Sequence, residues 1–260
     1  MEQERKNPGK PRGYIMNAVA EQLDLNELNS VFETSHPSKI MEWAVAQFEG
    51  DVILSSSFGA ESIVSIHLAT RVKPDIKIVM VNTGYLFPET HRFMEQMRQR
   101  FNLNVWTYRT QNDPVKWLAQ HGEPDPTVRN DKDACCAANK NEPMRRAMRE
   151  LAPRAWFRGI RRNQSESRKA AKFISWDRNY GNYAISPILN WGGREIYAYM
   201  KEHDLPYHPL VEKGYLSIGC NPLTCTRAVM AGEDARSGRW ADSDKVECGV
   251  NLGSLDDAAL

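Results

Sequence analysis

"DVILSSSFGAESIVSIHLA" (residues 51–69) reads as three pieces in a row: a short apolar strand, a loop of small polar residues, and a helix. "DIKIVMVNTGYLFPETHRFMEQMRQRF" (75–101) repeats that order, with a strand, a turn at Gly84 and an amphipathic helix. "LNVWTYR" (103–109) and "RAWFRGIRR" (154–162) are further strand candidates, and "GREIYAYMKEHDLPY" (193–207) is a helix stopped by Pro206. Upstream, "LDLNELNSVFE" (23–33) and "SKIMEWAVAQF" (38–48) have helical spacing, with Ile40, Trp43, Ala44 and Phe48 on one face. Strands that alternate with helices need crossover connections. The predicted fold is therefore α/β, a parallel twisted sheet with helices on both faces.

Ligands of such sheets bind beyond the carboxyl ends of the strands, near helix N-termini. Ser55, Ser56, Ser57 and Gly59 fill that position after the first strand, and Thr83 and Gly84 fill it after the second. Hydroxyls and backbone N–H groups there suit a phosphate or another anion. Serines at a helix cap are the plainer reading of the first loop. It is not a Walker loop, because the Gly-Lys-Ser/Thr ending is absent.

At 260 residues the chain is long enough to bury a substantial core, and a hydrophobic content of 41% with 26% charged residues places it among soluble globular proteins. A net charge of +1 argues against a polynucleotide partner, so any anionic ligand must be held by a local cluster of cations. Residues 1–13, broken by Pro8, Gly9, Pro11 and Gly13, read as a flexible leader. Residues 14–240 read as a single nucleotide-binding domain, and 241–260 as a mobile C-terminal tail. The charged N-terminus lacks an apolar signal core and no run is long enough to span a bilayer, which predicts a cytoplasmic protein with no membrane partner. Self-association into a homo-oligomer is left open.

The five cysteines cannot all pair internally. Cys135 and Cys136 are adjacent, and Cys220 and Cys225 lie close together far downstream. A disulfide between neighbours strains the backbone. Four thiolates from two loops suit zinc or an iron–sulfur cluster, and adjacent ligands fit a cluster better because its irons are separate corners. Four unrelated thiols are the alternative. Cys248 is left over, among Asp242, Ser243, Asp244, Lys245 and Glu247, which predicts an exposed position in solvent. A free thiol on a mobile tail, with Arg227, Arg236 and Arg239 upstream, suits a nucleophile that visits two places: a closed cavity and another protein's dithiol.

Taken in order, "SSSFGAES" (55–62), "NTGYLFPET" (82–90), "GIRRNQSESR" (159–168), "YHPLVEKGYLSIG" (207–219) and "KVECG" (245–249) resemble the motifs of one family, the assimilatory sulfonucleotide reductases. The resemblance implies an adenine nucleotide alpha hydrolase-like fold. It also implies a reaction in which Cys248 attacks the sulfur of a phosphosulfate to give a cysteine S-sulfonate, which thioredoxin or glutaredoxin then resolves. By position it assigns Lys140, Arg236 and Arg239 to the phosphosulfate, Arg161, Arg162 and Arg168 to the nucleotide, and Cys135, Cys136, Cys220 and Cys225 to a [4Fe–4S] cluster. Three positions depart from the family pattern. Four residues rather than two separate Cys220 from Cys225, Asn251 stands where the tail motif has histidine, and Asn82 stands where the second loop has aspartate. Asn251 can hydrogen-bond a sulfonate but cannot titrate near neutral pH.

The two nucleotide loops resemble members that use the 3′-phosphorylated nucleotide, whereas the cysteine pairs and "RSGRW" resemble members that use adenylyl sulfate. The loops lie nearer the ribose, so reduction of 3′-phosphoadenylyl sulfate is the expectation, with adenylyl sulfate or dual use as the alternative. An ATP pyrophosphatase is disfavoured because residues 57–62 lack the second glycine and the aspartate of its loop. A non-enzymatic thiol sensor would leave the nucleotide loops without a purpose.

Overall fold

The computed structural model describes residues 23–111, 113–122, 129–221, 225–230, 233, 234, 236–241, 245, 247–251 and 253. The expected leader, much of the expected tail, and Asp242, Ser243 and Asp244 lie outside them.

The helix–strand alternation is present. In chain order the elements are α1 (Leu25–Phe32), α2 (Pro37–Gln47), β1 (Val52–Ser55), α3 (Ser62–Val72), β2 (Lys77–Asn82), α4 (Pro88–Arg100) and β3 (Val105–Arg109). They continue with α5 (Pro114–His121), α6 (Arg129–Cys136), α7 (Glu142–Leu151), β4 (Ala155–Arg158), β5 (Ile174–Asp177), β6 (Asn182–Ile185) and α8 (Gly193–Glu202). Local chemistry sets several starts. Asp24 caps α1 by accepting from the Asn26 and Glu27 N–H groups, and Pro37 and Pro88 open α2 and α4 where a missing N–H costs nothing.

The strands order as β3-β2-β1-β4-β6-β5. Every pairing is parallel except β5 with β6, which is antiparallel and corrects the all-parallel expectation at one edge. Successive residues of each strand feed opposite cores. Val52, Leu54, Ile78, Met80, Ala155, Phe157 and Ile185 join one core, under α1, α2, α3, α4 and α8. Ile53, Val79, Trp156 and Ala184 join the other, with Met144, Ala147 and Met148 of α7 and with Val250 of the tail. The chain leaves β1 toward β2 on one side and meets β4 on the other, so the order reverses at β1. A crevice is expected beyond the carboxyl ends of β1 and β4. No helix among the described residues is long and apolar enough to cross a membrane.

Candidate active site

A cavity opens at that reversal, lined from the loop after β1 by Ser55, Ser56, Ser57 and Gly59, and from the loop after β2 by Thr83. Phe58, fully buried and held at φ 49°, pins the first loop to the core. The loop is partly self-satisfied: the Phe58 N–H donates to Ser56 Oγ at 3.1 Å and the Gly59 N–H to Ser62 Oγ at 2.9 Å. Those two donors are therefore spent on the loop's shape, and the serine side chains face the cavity with the remaining backbone. Gly84 does not line the cavity. Its N–H closes a turn on Asn82 Oδ1 at 3.0 Å, with φ 81°, a conformation that suits glycine. Asn82 thus holds the turn, and Gly84 is a turn residue.

The arginines of 159–168 divide. Arg161 is buried, pairs with Glu61 and lines the cavity. Arg162 points the other way, to Glu33 at the C-terminal cap of α1 at 2.7 and 3.0 Å, Asn190 Oδ1 at 2.6 Å and the Ala171 carbonyl at 2.9 Å, which corrects its expected contact with the nucleotide. Arg168 lines the cavity, but its Nε and one terminal nitrogen donate to the two oxygens of Glu247 at 2.7 and 2.9 Å. Arg236 stands 3.6 Å from the same carboxylate. Arg239 donates from Nε to the Cys225 carbonyl at 3.0 Å and lies 4.4 Å from the Trp240 ring centroid. Its guanidinium rests so close on Gly219 that a Cβ there would collide with it. The lining residues outside the expected set include Ser65, whose buried hydroxyl faces Gly159; Gly159 itself; and Arg158, whose Nε donates to Ser186 Oγ at 2.8 Å. An arginine on a strand carries no motif, so nothing local marks Arg158.

Lys140 sits in a π-turn, Ala137–Asn141, that separates α6 from α7. Such wide turns are frequent at functional sites. Burial there works against the charge of Lys140, but the neighbouring cysteines, Cys248 first, outweigh it and raise its pKa. Lys140 thus stays an ammonium. Cys248 is half-buried beside it in the cavity wall, which overturns the expectation of an exposed thiol in solvent. Around it the described tail residues are covered: Lys245, Glu247, Val250 and Gly253 are all buried. Lys245 pairs with Asp133 of α6, and the Val250 carbonyl accepts from Tyr180 Oη at 3.1 Å. Gly249, at φ 92°, leaves no room for a Cβ beside Asn141, and Asn251 joins the lining. Burial and the Glu247 charge oppose ionisation of Cys248, but the Lys140 ammonium, the Val250 N–H and a Lys140 hydrogen bond outweigh them. The pKa falls to about 7. A thiol half ionised at neutral pH is a competent nucleophile.

The other four thiols lie near one another. Cys135 and Cys136 end α6, Cys220 touches Thr83 Oγ1 at 3.4 Å, and Cys220 and Cys225 both act electrostatically on Cys135. Burial raises Cys135, and raises Cys136 to about 12. Among the described residues no three His, Cys, Asp or Glu side chains are placed to hold one metal ion. A single zinc would draw its four sulfurs to within about 4 Å of one another, given bonds of about 2.3 Å. A multi-iron cluster asks less of the geometry, since each sulfur meets its own iron.

Comparison with known proteins identifies the family and the fold. Residues 51–227 match the family model described as "Phosphoadenosine phosphosulfate reductase domain". A phosphoadenosine 5′-phosphosulfate reductase of Synechococcus sp. is 37% identical over 230 residues, covering 88% of this chain and 97% of the relative. One of Xylella fastidiosa strain M12 is 41% identical over 231 residues, covering 88% and 94%. Among solved structures, the phosphoadenylyl-sulfate reductase of Candida auris, in its phosphate complex, superposes with a TM-score of 0.65 at 24% identity over 75% of this chain and 93% of its own. The FMN adenylyltransferase of Candida glabrata shares the fold more distantly, at TM-score 0.55 and 15% identity over 79% of this chain and 65% of its own. With the matched segment running from β1 to just past the second cysteine pair, the chain belongs to the phosphoadenosine phosphosulfate reductase family.

Proposed function

We propose that the chain reduces 3′-phosphoadenylyl sulfate to sulfite and adenosine 3′,5′-bisphosphate in assimilatory sulfate reduction, through an S-sulfonate on Cys248. The observation that carries the reading is a thiol of lowered pKa beside Lys140, in the lining of the same cavity as Ser55, Ser56, Ser57 and Gly59. The nucleotide lies along the loops after β1 and β2. Its phosphosulfate reaches Lys140, Arg236 and Arg239, whose charges offset those of the leaving phosphate. The Cys248 thiolate attacks sulfur: an S–S bond forms, the sulfur–oxygen bond to phosphate breaks, and the bisphosphate leaves with the electron pair. A thiolate of a thioredoxin- or glutaredoxin-type dithiol then attacks Cys248 Sγ and sulfite departs. The second thiol resolves the mixed disulfide and returns Cys248 as thiolate. The dithiol supplies the two electrons that take sulfur from the sulfonyl to the sulfite state. Because Cys248 is half-buried, this second half requires the tail to lift.

The test is sulfite production from the two nucleotides by anaerobically purified protein with a dithiol reductant. Faster turnover of the 3′-phosphorylated nucleotide is expected; faster turnover of adenylyl sulfate overturns the substrate assignment.

Cys135, Cys136, Cys220 and Cys225 are proposed to hold a [4Fe–4S] cluster. Bound there, it would keep Cys135 and Cys136 as thiolates, which burial otherwise disfavours. Iron analysis is expected to find four irons per chain, with a broad visible absorption, both lost in Cys136→Ser. A variant that keeps its iron rules out that ligand.

A further inference from the structure

Glu247 is buried next to the nucleophile, where its charge is locally unfavourable. Its charge opposes ionisation of Cys248, and it adds a negative group to a cavity meant for an anion. A buried carboxylate is costly unless paired and hydrogen-bonded. This one is fully engaged: its side chain is 5% exposed, gripped by the Arg168 fork at 2.7 and 2.9 Å, with Arg236 at 3.6 Å and Ser167 Oγ at 3.4 Å. Arg168 is itself 8% exposed at its side chain and also held by Gln164, so the partner is fixed before the tail arrives. If the protein needed only a counter-charge for Arg168, any residue in reach would serve. The one present is joined by a single peptide unit to Cys248, which limits the spacing of their Cα atoms to about 3.8 Å. On the other side of the thiol, the Val250 carbonyl is tied to Tyr180. Cys248 is thus suspended between a charged anchor and a neutral one, and the charged anchor is the one that sets a carboxylate against two buried arginines, Arg168 and Arg236.

We propose that Glu247 is the positioning residue for Cys248: its ion pair with Arg168 and Arg236 latches the tail over the cavity, and this is the contact that parts when the S-sulfonate is presented to a protein dithiol. The inference rests on the reaction proposed above. It also revises the expected role of Arg168, which acts through Glu247 rather than on the nucleotide.

The test compares wild type, Glu247→Gln, Arg168→Gln, the double variant and Glu247→Asp, each checked for fold by circular dichroism. Single-turnover sulfonation is measured at saturating 3′-phosphoadenylyl sulfate without reductant, and affinity is measured with adenosine 3′,5′-bisphosphate. Proteolytic release of the C-terminal peptide is followed in nucleotide-free protein. Glu247→Gln and Arg168→Gln are each expected to slow sulfonation about 10- to 100-fold while bisphosphate affinity stays within about threefold. Both should speed tail cleavage, the double variant should be no worse than either single, and Glu247→Asp should recover part of the rate. Wild-type sulfonation in Glu247→Gln, or fully additive losses in the double variant, overturns the latch. Proteolysis needs no turnover. Wild-type protein that never sulfonates, with a tail released faster in both single variants, would sink the reaction and leave the latch standing.

Discussion

Cys248→Ser protein mixed with 3′-phosphoadenylyl sulfate and no reductant is expected to show no added SO3 on its C-terminal peptide, and its sulfite production to fall by about 10⁴-fold or more. Serine keeps the shape of the site but removes two properties that the reaction uses. A hydroxyl beside Lys140 stays protonated at neutral pH, so there is no nucleophile. An oxygen that did accept sulfonate would form a sulfate ester, with no S–S bond for a dithiol to cut. Binding should survive: the nucleotide meets the loops after β1 and β2 and the cations Lys140, Arg236 and Arg239, none of which the change removes. Affinity for the bisphosphate should hold or tighten slightly, since a thiolate repels an anion. Mass spectrometry of the tail peptide and isothermal titration of the bisphosphate check the two halves. A sulfonated tail peptide from the Cys248→Ser protein, or turnover at the wild-type rate, overturns the mechanism.

Much of the fold was legible because the signals were local. The run 51–69 contains a complete strand, a loop and most of a helix, and its echo at 75–101 fixes the crossover. The edge hairpin β5–β6 was not read. Its strands have four residues each, and Asp177 and Asn182, polar residues ordinarily sparse in strands, sit at their inner ends. The tail was misread for a different reason. Glu247 and Lys245 look like solvent residues, but their partners are Arg168 and Asp133, 79 and 112 positions away in sequence, and no window along the chain can show such pairs. Arg161 and Arg162 show the same limit at the smallest scale. Arg161 has an extended backbone (φ −133°), so adjacent side chains part to opposite sides, one to the cavity and one to α1. Motif spacing located the segment, but only the backbone says which of its arginines faces in. The gathering of Lys140 with Cys136 and Cys248 likewise depends on a π-turn, which leaves no mark in hydrophobic periodicity.

A charge that sets a nucleophile's pKa and also grips the substrate should separate into two measurable effects when it is removed, and Lys140→Met is the change that separates them. In the wild type Cys248 titrates near 7 because Lys140 outweighs burial and Glu247. Without the ammonium both opposing influences remain, so the thiol should titrate at or above the ordinary cysteine range, near 9. At pH 7 the thiolate fraction then drops from about one half to about one in a hundred. The rarer thiolate is more basic and about eightfold more reactive per molecule, given a Brønsted slope of about 0.4–0.5. Alkylation of substrate-free protein by iodoacetamide is therefore expected to slow roughly sixfold at pH 7 and to run severalfold faster than wild type above about pH 10, so the two pH profiles cross. Sulfonation has no such recovery. It also loses the cation facing the phosphosulfate and should remain about 10²–10³-fold below wild type at every pH. The sign follows from the cause: a depressed pKa means the thiolate is favoured above about 7, and removing its partner moves that onset upward. Alkylation profiles that superimpose would show that Lys140 does not act on Cys248. Crossing profiles with sulfonation restored at high pH would confine Lys140 to the thiol and remove it from the phosphosulfate.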